Sequence, residues 1–272
     1  MPTLVPISDP SDPRLAAYVA VREKDLVGRQ GEFVAEGEVV LRVLLGGSAR
    51  AKAHSVLVAE NRVGRLVALA PRLEAQIPVY VASQAVMDAI VGFPIHRGML
   101  AHGARPPDLG AGSLLASLPT TATVLVLFGI ANHDNMGGLF RNAAAFGVDA
   151  VLLDPRCCDP LYRKAIRVSV GAALKVPFAR LTEGEDALAL LEAAGFGALA
   201  LSPAGAESVA DLRRSTRAAV LLGAEGPGLP PPILARSHTL RIPMAEGWDS
   251  LNVAAASAIV LHQLTRPSPT RG

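Results

Sequence analysis

The sequence predicts an α/β protein, with a mostly parallel sheet wrapped by helices in its second half and a smaller α/β unit in its first. Three observations lead there. Half of the 272 residues are hydrophobic and 18% are charged, enough apolar material for one large core or two modest ones. Short apolar runs alternate with helix-like segments across the second half. Those runs are continuous, not alternating, which is the pattern of strands buried on both faces.

The elements follow in order. Residues 14–30 (RLAAYVAVREKDLVGRQ) predict a helix on an approximate stripe of Leu15, Tyr18 and Val19. GEFVAEGEVVLRVLLG, HSVLVAE, the helix-like RVGRLVALAPRLE and IPVYVAS complete a small α/β unit ending near Leu100. RPPDLGAGSLLASLP is rich in Pro, Gly and Ser and predicts a linker. The expected organisation is therefore a domain over 1–105, a linker over 106–119 and a second domain over 120–272. In the second domain TVLVLFGI predicts a strand, and Asn135, Gly137 and Gly138 a turn into the helix GGLFRNAAAFG. AVLLD, VPFARL, GALALS, AAVLLGAE and TLRIPM read as further strands. PLYRKAIRVSVGAAL (160–174), EDALALLEAAG and residues 250–265 read as helices.

Composition excludes several classes. A net charge of +2 gives no global case for nucleic acid, so any basic surface is local. The two cysteines, Cys157 and Cys158, are adjacent and build no disulfide framework; they read as structural. No C-x-x-C or H-E-x-x-H spacing offers a metal site, so no metal is expected. The N-terminal stretch MPTLVPISDPSDPR lacks the basic start and apolar core of a signal peptide. The most membrane-like window, residues 187–206, is divided by Glu192, Gly195, Gly197 and Pro203. A reduced, cytoplasmic setting without membrane contact is expected.

In parallel sheets, ligands bind beyond the carboxyl ends of the strands. That rule selects three segments. After the first strand comes ANHDNMGGLFRN, where Arg141 is expected on the first turn or two of a helix, with a fork of donors suited to phosphate. The dinucleotide spacing G-x-G-x-x-G is missing, which speaks against a nucleotide-dependent oxidoreductase. After AAVLLG comes AEGPGLPPP, whose Gly226 and Gly228 allow close backbone approach and whose Glu225 needs donors. After TLRIPM comes AEGWDSLN, which holds the chain's one Trp, Trp248, and in which Ser250 or Asn252 is suited to cap the last helix. Each segment alone is unspecific; three in order are not.

N-x-G-x-x-x-R-x-A (Asn135, Gly137, Arg141, Ala143), G-x-E-G-x-G-L (Gly223 to Leu229) and I-P-M followed by S-L-N-V together resemble the SpoU (TrmH-like) family of RNA ribose 2′-O-methyltransferases, of the SPOUT class. Arg163 to Ala172 fits the same pattern, and the resemblance covers residues 120–265. The first half is similar, more weakly, to the ribosomal protein L30e-like substrate-binding domain such enzymes often carry. The resemblance implies a C-terminal domain closed in a deep trefoil knot, and a homodimer formed through that domain. It implies S-adenosylmethionine held by Gly223, Gly228, Ile242, Met244 and Leu251. It also implies catalytic positions at Arg141, Asn135, Glu225, Ser250 and Asn252, with Asn135 and Ser250 orienting ribose or phosphate and Glu225 and Asn252 holding the pocket and Arg141. One departure stands out: Ala254 occupies a position where the family often has Ser.

The same resemblance implies an RNA substrate, ribosomal RNA before transfer RNA. Between Arg156 and Arg180 lie six basic residues and one acid, a local surplus suited to a polyanion. Arg163, Lys164 and Arg167 are the expected phosphate contacts, with Arg29, Arg50 and Lys52 as weaker candidates. A non-catalytic RNA-binding protein of this fold is the rival class; it would lack Arg141, Asn252 or the glycine turns, all present here.

Overall fold

The computed structural model describes residues 3–19, 31–69, 73–92, 98–213, 215–248 and 250–265. Its contacts divide into two compact units. The first comprises residues 1–107 together with 159–175; the second comprises 108–158 and 176–272.

The first unit is a five-stranded sheet in the order β1-β4-β3-β5-β2, with strands Leu4–Ile7, Glu32–Glu36, Lys52–Ala59, Val79–Ala82 and Met99–Ala104 numbered in chain order. β1, β4 and β3 run parallel, while β5 runs antiparallel to both β3 and β2. Helices Glu38–Leu44 (α1), Val63–Val67 (α2) and Gln84–Val91 (α3) connect them. The last shows how sequence sets an element. The Ser83 hydroxyl accepts from Val86 N–H, Met87, Ile90 and Val91 face the core, and Gly92 closes the helix in the left-handed region at φ 77°. The core gathers Ile7, Leu15, Tyr18, Leu57, Tyr80, Met87, Ile90 and Leu100.

Two sequence expectations change here. The helix expected over 14–30 is a short 3-10 turn at Pro13–Leu15, capped by Asp12, and then tight turns to residue 19; residues 20–30 lie outside the described set. Tyr18 is drawn inward instead, its hydroxyl 2.7 Å from Ser55 Oγ and accepting from His102 N–H. Burial raises the Tyr18 phenol well above its usual pKa. The helix expected over 160–174 is also shorter. It spans Arg163–Val168 (hereafter the basic helix) and breaks at Val170 and Gly171, both at positive φ, before a 3-10 turn at Ala172–Leu174. This segment groups with the first unit, not with the strands that flank it in sequence. Arg50 N–H donates to Leu174 O, Arg167 pairs with the buried Glu36, and a side chain at Gly171 would press on Val43.

The second unit is a seven-stranded sheet, every pairing parallel, in the order β10-β12-β9-β11-β6-β7-β8. Its strands are Ala122–Leu127 (β6), Ala150–Leu153 (β7), Phe178–Arg180 (β8), Gly197–Leu201 (β9), Glu207–Ser208 (β10), Arg217–Leu222 (β11) and His238–Arg241 (β12). Leu127 pairs with Leu222, Ala200 with Leu221 and Leu201 with Leu240, so the carboxyl ends of β6, β11, β9 and β12 share one edge. The expected linker is part of this unit. Ala111, Leu114 and Leu115 of helix Ala111–Ala116 are buried at i, i+3 and i+4 spacing in its core. Arg217 secures the following chain, donating to Leu115 O and Pro119 O while stacking 4.3 Å above the Phe196 ring. No described helix is long and apolar enough to cross a membrane.

Candidate active site

Three loops leave the shared strand edge, and one side chain joins them. After β6, Asn132 caps helix His133–Ala145 by accepting from Asp134 N–H (2.7 Å) and Asn135 N–H (3.3 Å). Asn135, Gly137 and Gly138 therefore lie inside the helix, not in a turn before it. Arg141 falls on its third turn, beyond reach of the free N–H groups of the first.

The glycines have a different purpose. Asn135, Gly138 and Asn142 lie at i, i+3 and i+7, one face of the helix. That face meets the last helix, Val253–Thr265. A Cβ on Gly138 would come within 2.8 Å of Ala254 Cβ, so only glycine permits this approach. Asn142 Nδ2 donates to Ala254 O (2.6 Å) and to the buried Ser257 Oγ (2.8 Å).

After β11, Gly228 N–H donates to Ala224 O (3.0 Å) and folds the segment into a tight turn, with Gly226 and Gly228 at φ 87° and 69°. Gly223 packs directly on the returning chain. A Cβ there would sit 2.1 to 2.3 Å from backbone atoms of Gly228 and Leu229.

After β12, the chain runs through Ile242, Met244, Ser250 and Leu251 to Asn252, and this residue performs two tasks. Its Oδ1 accepts from Ala254 N–H (3.0 Å) and Ala255 N–H (3.3 Å), capping the last helix. Its Nδ2 donates to Asn135 Oδ1 (2.8 Å) and Glu225 Oε1 (3.0 Å). One amide thus ties the helix that follows β6 to the loops after β11 and β12.

Beside this tie lies a cavity of about 630 Å³. Its walls include all five positions expected to hold a cofactor (Gly223, Gly228, Ile242, Met244 and Leu251), together with Glu225, Ser250 and Asn252. The loop after β9 contributes Ser202 and Pro203, which sequence reasoning missed although the strand-end rule would have found them. Asn142 and Ser257 were missed as well; the signal for Asn142 was its i+7 spacing from Asn135, and Ser257 gave none. Arg141 does not line the cavity. It is exposed, and among the described residues it makes no hydrogen bond or ion pair. Glu225 and Asn252 are bonded to each other, and Asn252 also to Asn135, with no bond from either to Arg141.

The basic stretch is partly committed to internal contacts. Arg156 pairs with Asp154, and Arg180 donates to the carbonyls of Asp154, Pro155 and Cys157. Arg167 lies 3.5 Å from Glu36; on the same basic helix Lys164 is exposed and Arg163 half-buried. Arg50 is half-buried and Lys52 exposed; Arg29 lies outside the described residues. Cys157 is buried, and its thiol is pushed up to about 12 by desolvation, reinforced by Asp154, so it is no nucleophile at neutral pH. Trp248 is 74% exposed, in a turn closed by its N–H to Ala245 O, and stands outside the cavity wall.

The chain matches known proteins over most of its length. The SpoU rRNA Methylase family matches residues 122–262. A tRNA/rRNA methyltransferase of Mycobacterium tuberculosis, described as uncharacterized, is 38% identical over 270 residues, covering 96% of this chain and 91% of its own. A similarly described protein of Synechocystis is 30% identical over 241 residues, covering 88% and 85%. Among solved structures, an AdoMet-bound rRNA methyltransferase from Sinorhizobium meliloti superposes with a TM-score of 0.79 at 23% identity, covering 96% of this chain and 97% of its own. An RNA 2′-O ribose methyltransferase gives 0.76, also at 23%, covering 96% and 98%. These structures share the fold. The chain belongs to the SpoU rRNA Methylase family, a family of RNA methyltransferases with the SPOUT fold.

Proposed function

We propose that this protein transfers a methyl group from S-adenosylmethionine to a ribose 2′-hydroxyl of structured RNA, ribosomal RNA before transfer RNA. The observation that carries the proposal is the convergence of three distant segments, the helix after β6 and the loops after β11 and β12, on Asn252 at the rim of one cavity. The volume falls within the roughly 300–1,000 Å³ of small-molecule sites. The wall also has the right mixture for a nucleoside carrying an amino acid: apolar Leu201, Leu222, Ile242, Met244 and Leu251, with Ser202, Glu225, Ser250 and Asn252 as sparse polar groups. Solved relatives of the fold bind this molecule, among them a SpoU methyltransferase of Streptomyces viridochromogenes with a TM-score of 0.77.

When bound, S-adenosylmethionine would supply a methyl already activated on a sulfonium, its S–CH3 bond giving way to the O–CH3 bond and S-adenosylhomocysteine being the leaving group. Gly223, Gly228, Ile242, Met244 and Leu251 hold it; Asn135, Glu225 and Asn252 keep the walls fixed. Prior alignment of reacting groups can contribute about 7–11 kcal/mol. Ser250 orients ribose or phosphate. Arg141, exposed and uncommitted to any described partner, contacts an RNA phosphate and stabilises the developing alkoxide. A guanidinium with a pKa above roughly 12 keeps its proton, so the proton passes to phosphate or water.

Lys164 and Arg163 supply further phosphate contacts, and the first unit serves as the RNA-recognition domain. The return of β12 to a place between β9 and β10 supports the knotted path, and a homodimer through the second unit is part of the same proposal. The test is incubation with labelled S-adenosylmethionine and separate ribosomal and transfer RNA pools, followed by nucleotide mapping. Label at a ribose 2′-oxygen supports the reaction; label on a base, or none, overturns it. Arg141→Ala should keep fold and cofactor binding yet lose transfer, and unchanged transfer would remove Arg141 from the chemistry.

A further inference from the structure

A second cluster of chemical groups lies in the first unit. Glu32 opens β2, His102 lies in β5 and His54 in β3, three strands that neighbour one another in the order β3-β5-β2. Antiparallel pairing sets Val34 opposite His102 and Glu32 opposite Ala104, so strand alternation places Glu32 and His102 on one face. His54 joins them through a defect in β3. Ala53 pairs with Gly103 and Ser55 with His102, leaving His54 as the additional residue between them. Such a bulge sets two residues against one and re-aims a side chain.

The ligand-capable atoms of Glu32, His54 and His102 all lie within 4.8 Å of one another, and the two imidazole rings meet edge to face at 5.2 Å. His102 Nε2 is 3.0 Å from Glu32 Oε2. Among the described residues the same nitrogen, shielded from solvent, has no hydrogen-bond partner, so the contact has a hydrogen bond's length without its direction. Two ligands of one ion stand in this relation. With bonds of roughly 2.0–2.1 Å at tetrahedral angles, their donor atoms are about 3.3 Å apart and neither points at the other. Tyr18 holds the arrangement from behind, contacting both the Ser55 side chain and the His102 backbone.

We propose that Glu32, His54 and His102 form a binding site for a divalent transition-metal ion of the zinc class. Two imidazoles and one carboxylate suit such an ion, whereas magnesium and calcium take oxygen donors. Three protein ligands leave a fourth position for water. The ion cross-links β2, β5 and β3 and so stiffens the first unit. Sequence inspection found no metal spacing because these residues lie far apart in the chain and a bulge brings His54 to the others.

Full-length protein stripped with chelator and dialysed against zinc sulfate should bind one equivalent by elemental analysis and melt at a higher temperature. His54→Ala should lower zinc affinity at least about tenfold. His54 is exposed, so this variant retains the fold, which far-UV circular dichroism verifies. Glu32→Gln should weaken binding likewise. Cobalt substitution should give d–d bands without thiolate charge transfer. Undiminished zinc binding by His54→Ala overturns the proposal, as does a thiolate band, which would assign the metal to Cys157 or Cys158. Absence of stoichiometric binding by the wild-type protein also overturns it.

Discussion

Replacing Asn252 separates the two tasks its side chain performs. Asn252→Ala removes the helix cap, a loss of about 1 kcal/mol. It also leaves Asn135 Oδ1 without its donor; Asn135 is 7% exposed, and a buried acceptor left unpaired costs about 1–3 kcal/mol. Glu225 is exposed and gains water instead, so its contribution to stability is small. The expected destabilisation is therefore about 2–4 kcal/mol. Asn252→Asp keeps the cap, since Asp caps as well as Asn, but turns an acceptor toward Asn135 Oδ1 and a second carboxylate toward Glu225. It should lose the tie alone, about 1–3 kcal/mol. Urea unfolding followed by far-UV circular dichroism reads both values at unchanged slope. A cycle with Asn135→Ala should show a coupling of at least about 0.5 kcal/mol. Additivity of the two substitutions, or an Asn252→Ala protein as stable as wild type, would refute the convergence on which the proposed site rests.

Other substitutions test the packing and the pocket. Gly138→Ala should destabilise by about 1–3 kcal/mol through collision with Ala254, despite the helix preference of alanine, and Ala254→Gly should restore stability in the double variant. Equal melting temperatures of Gly138→Ala and wild type would show that the two helices do not approach so closely. Gly223→Ala forces a Cβ onto the backbone of the turn, so S-adenosylmethionine titration should show at least about a tenfold loss of affinity, the outcome of about 1.4 kcal/mol or more of distortion; unchanged affinity would detach this turn from the cofactor. Iodoacetamide at pH 8 should label the half-buried Cys158 and spare Cys157. The folded state keeps the Cys157 proton that the unfolded state releases from about pH 9, so stability is full below pH 9 and falls as pH rises toward 12. The slope approaches 1.4 kcal/mol per pH unit, and Cys157→Ala should flatten it.

What the sequence revealed, and what it hid, follows from the range of the forces involved. The strands were legible because residues such as those of β6 and β11 are apolar on both faces, a local signature of a covered parallel sheet. The cavity wall was legible because glycines and strand ends are local too. Gly137 and Gly138 misled, since glycine marks a turn and a close helix–helix approach alike; Ala254, which decides between them, is more than a hundred residues away. The Pro-rich boundary hid a helix because its Ala111, Leu114 and Leu115 are too few to overcome their surroundings in a pattern search, yet they are fully used by the core. The basic helix gave no sign of belonging to the first unit, because its anchors Glu36 and Val43 make no pattern with it in sequence.

The chemistry of position 252 explains why the three motifs recur together in this chain although the sheet would close without such polar loops. The place demands an acceptor for two N–H groups of a helix start and, from the same short side chain, a donor for two further oxygens. Aspartate offers no donor, serine a single one, and glutamine sets its amide one carbon beyond capping distance; asparagine alone meets the whole demand. By the same logic the alanine at 254 takes nothing from the framework. The group that receives Asn142 there is the backbone carbonyl, which any residue provides, and the accompanying hydroxyl comes from Ser257 one turn on. A Ser257→Ala protein should therefore lose more stability than Ala254→Ser, because only the former leaves part of the half-buried Asn142 amide without an acceptor.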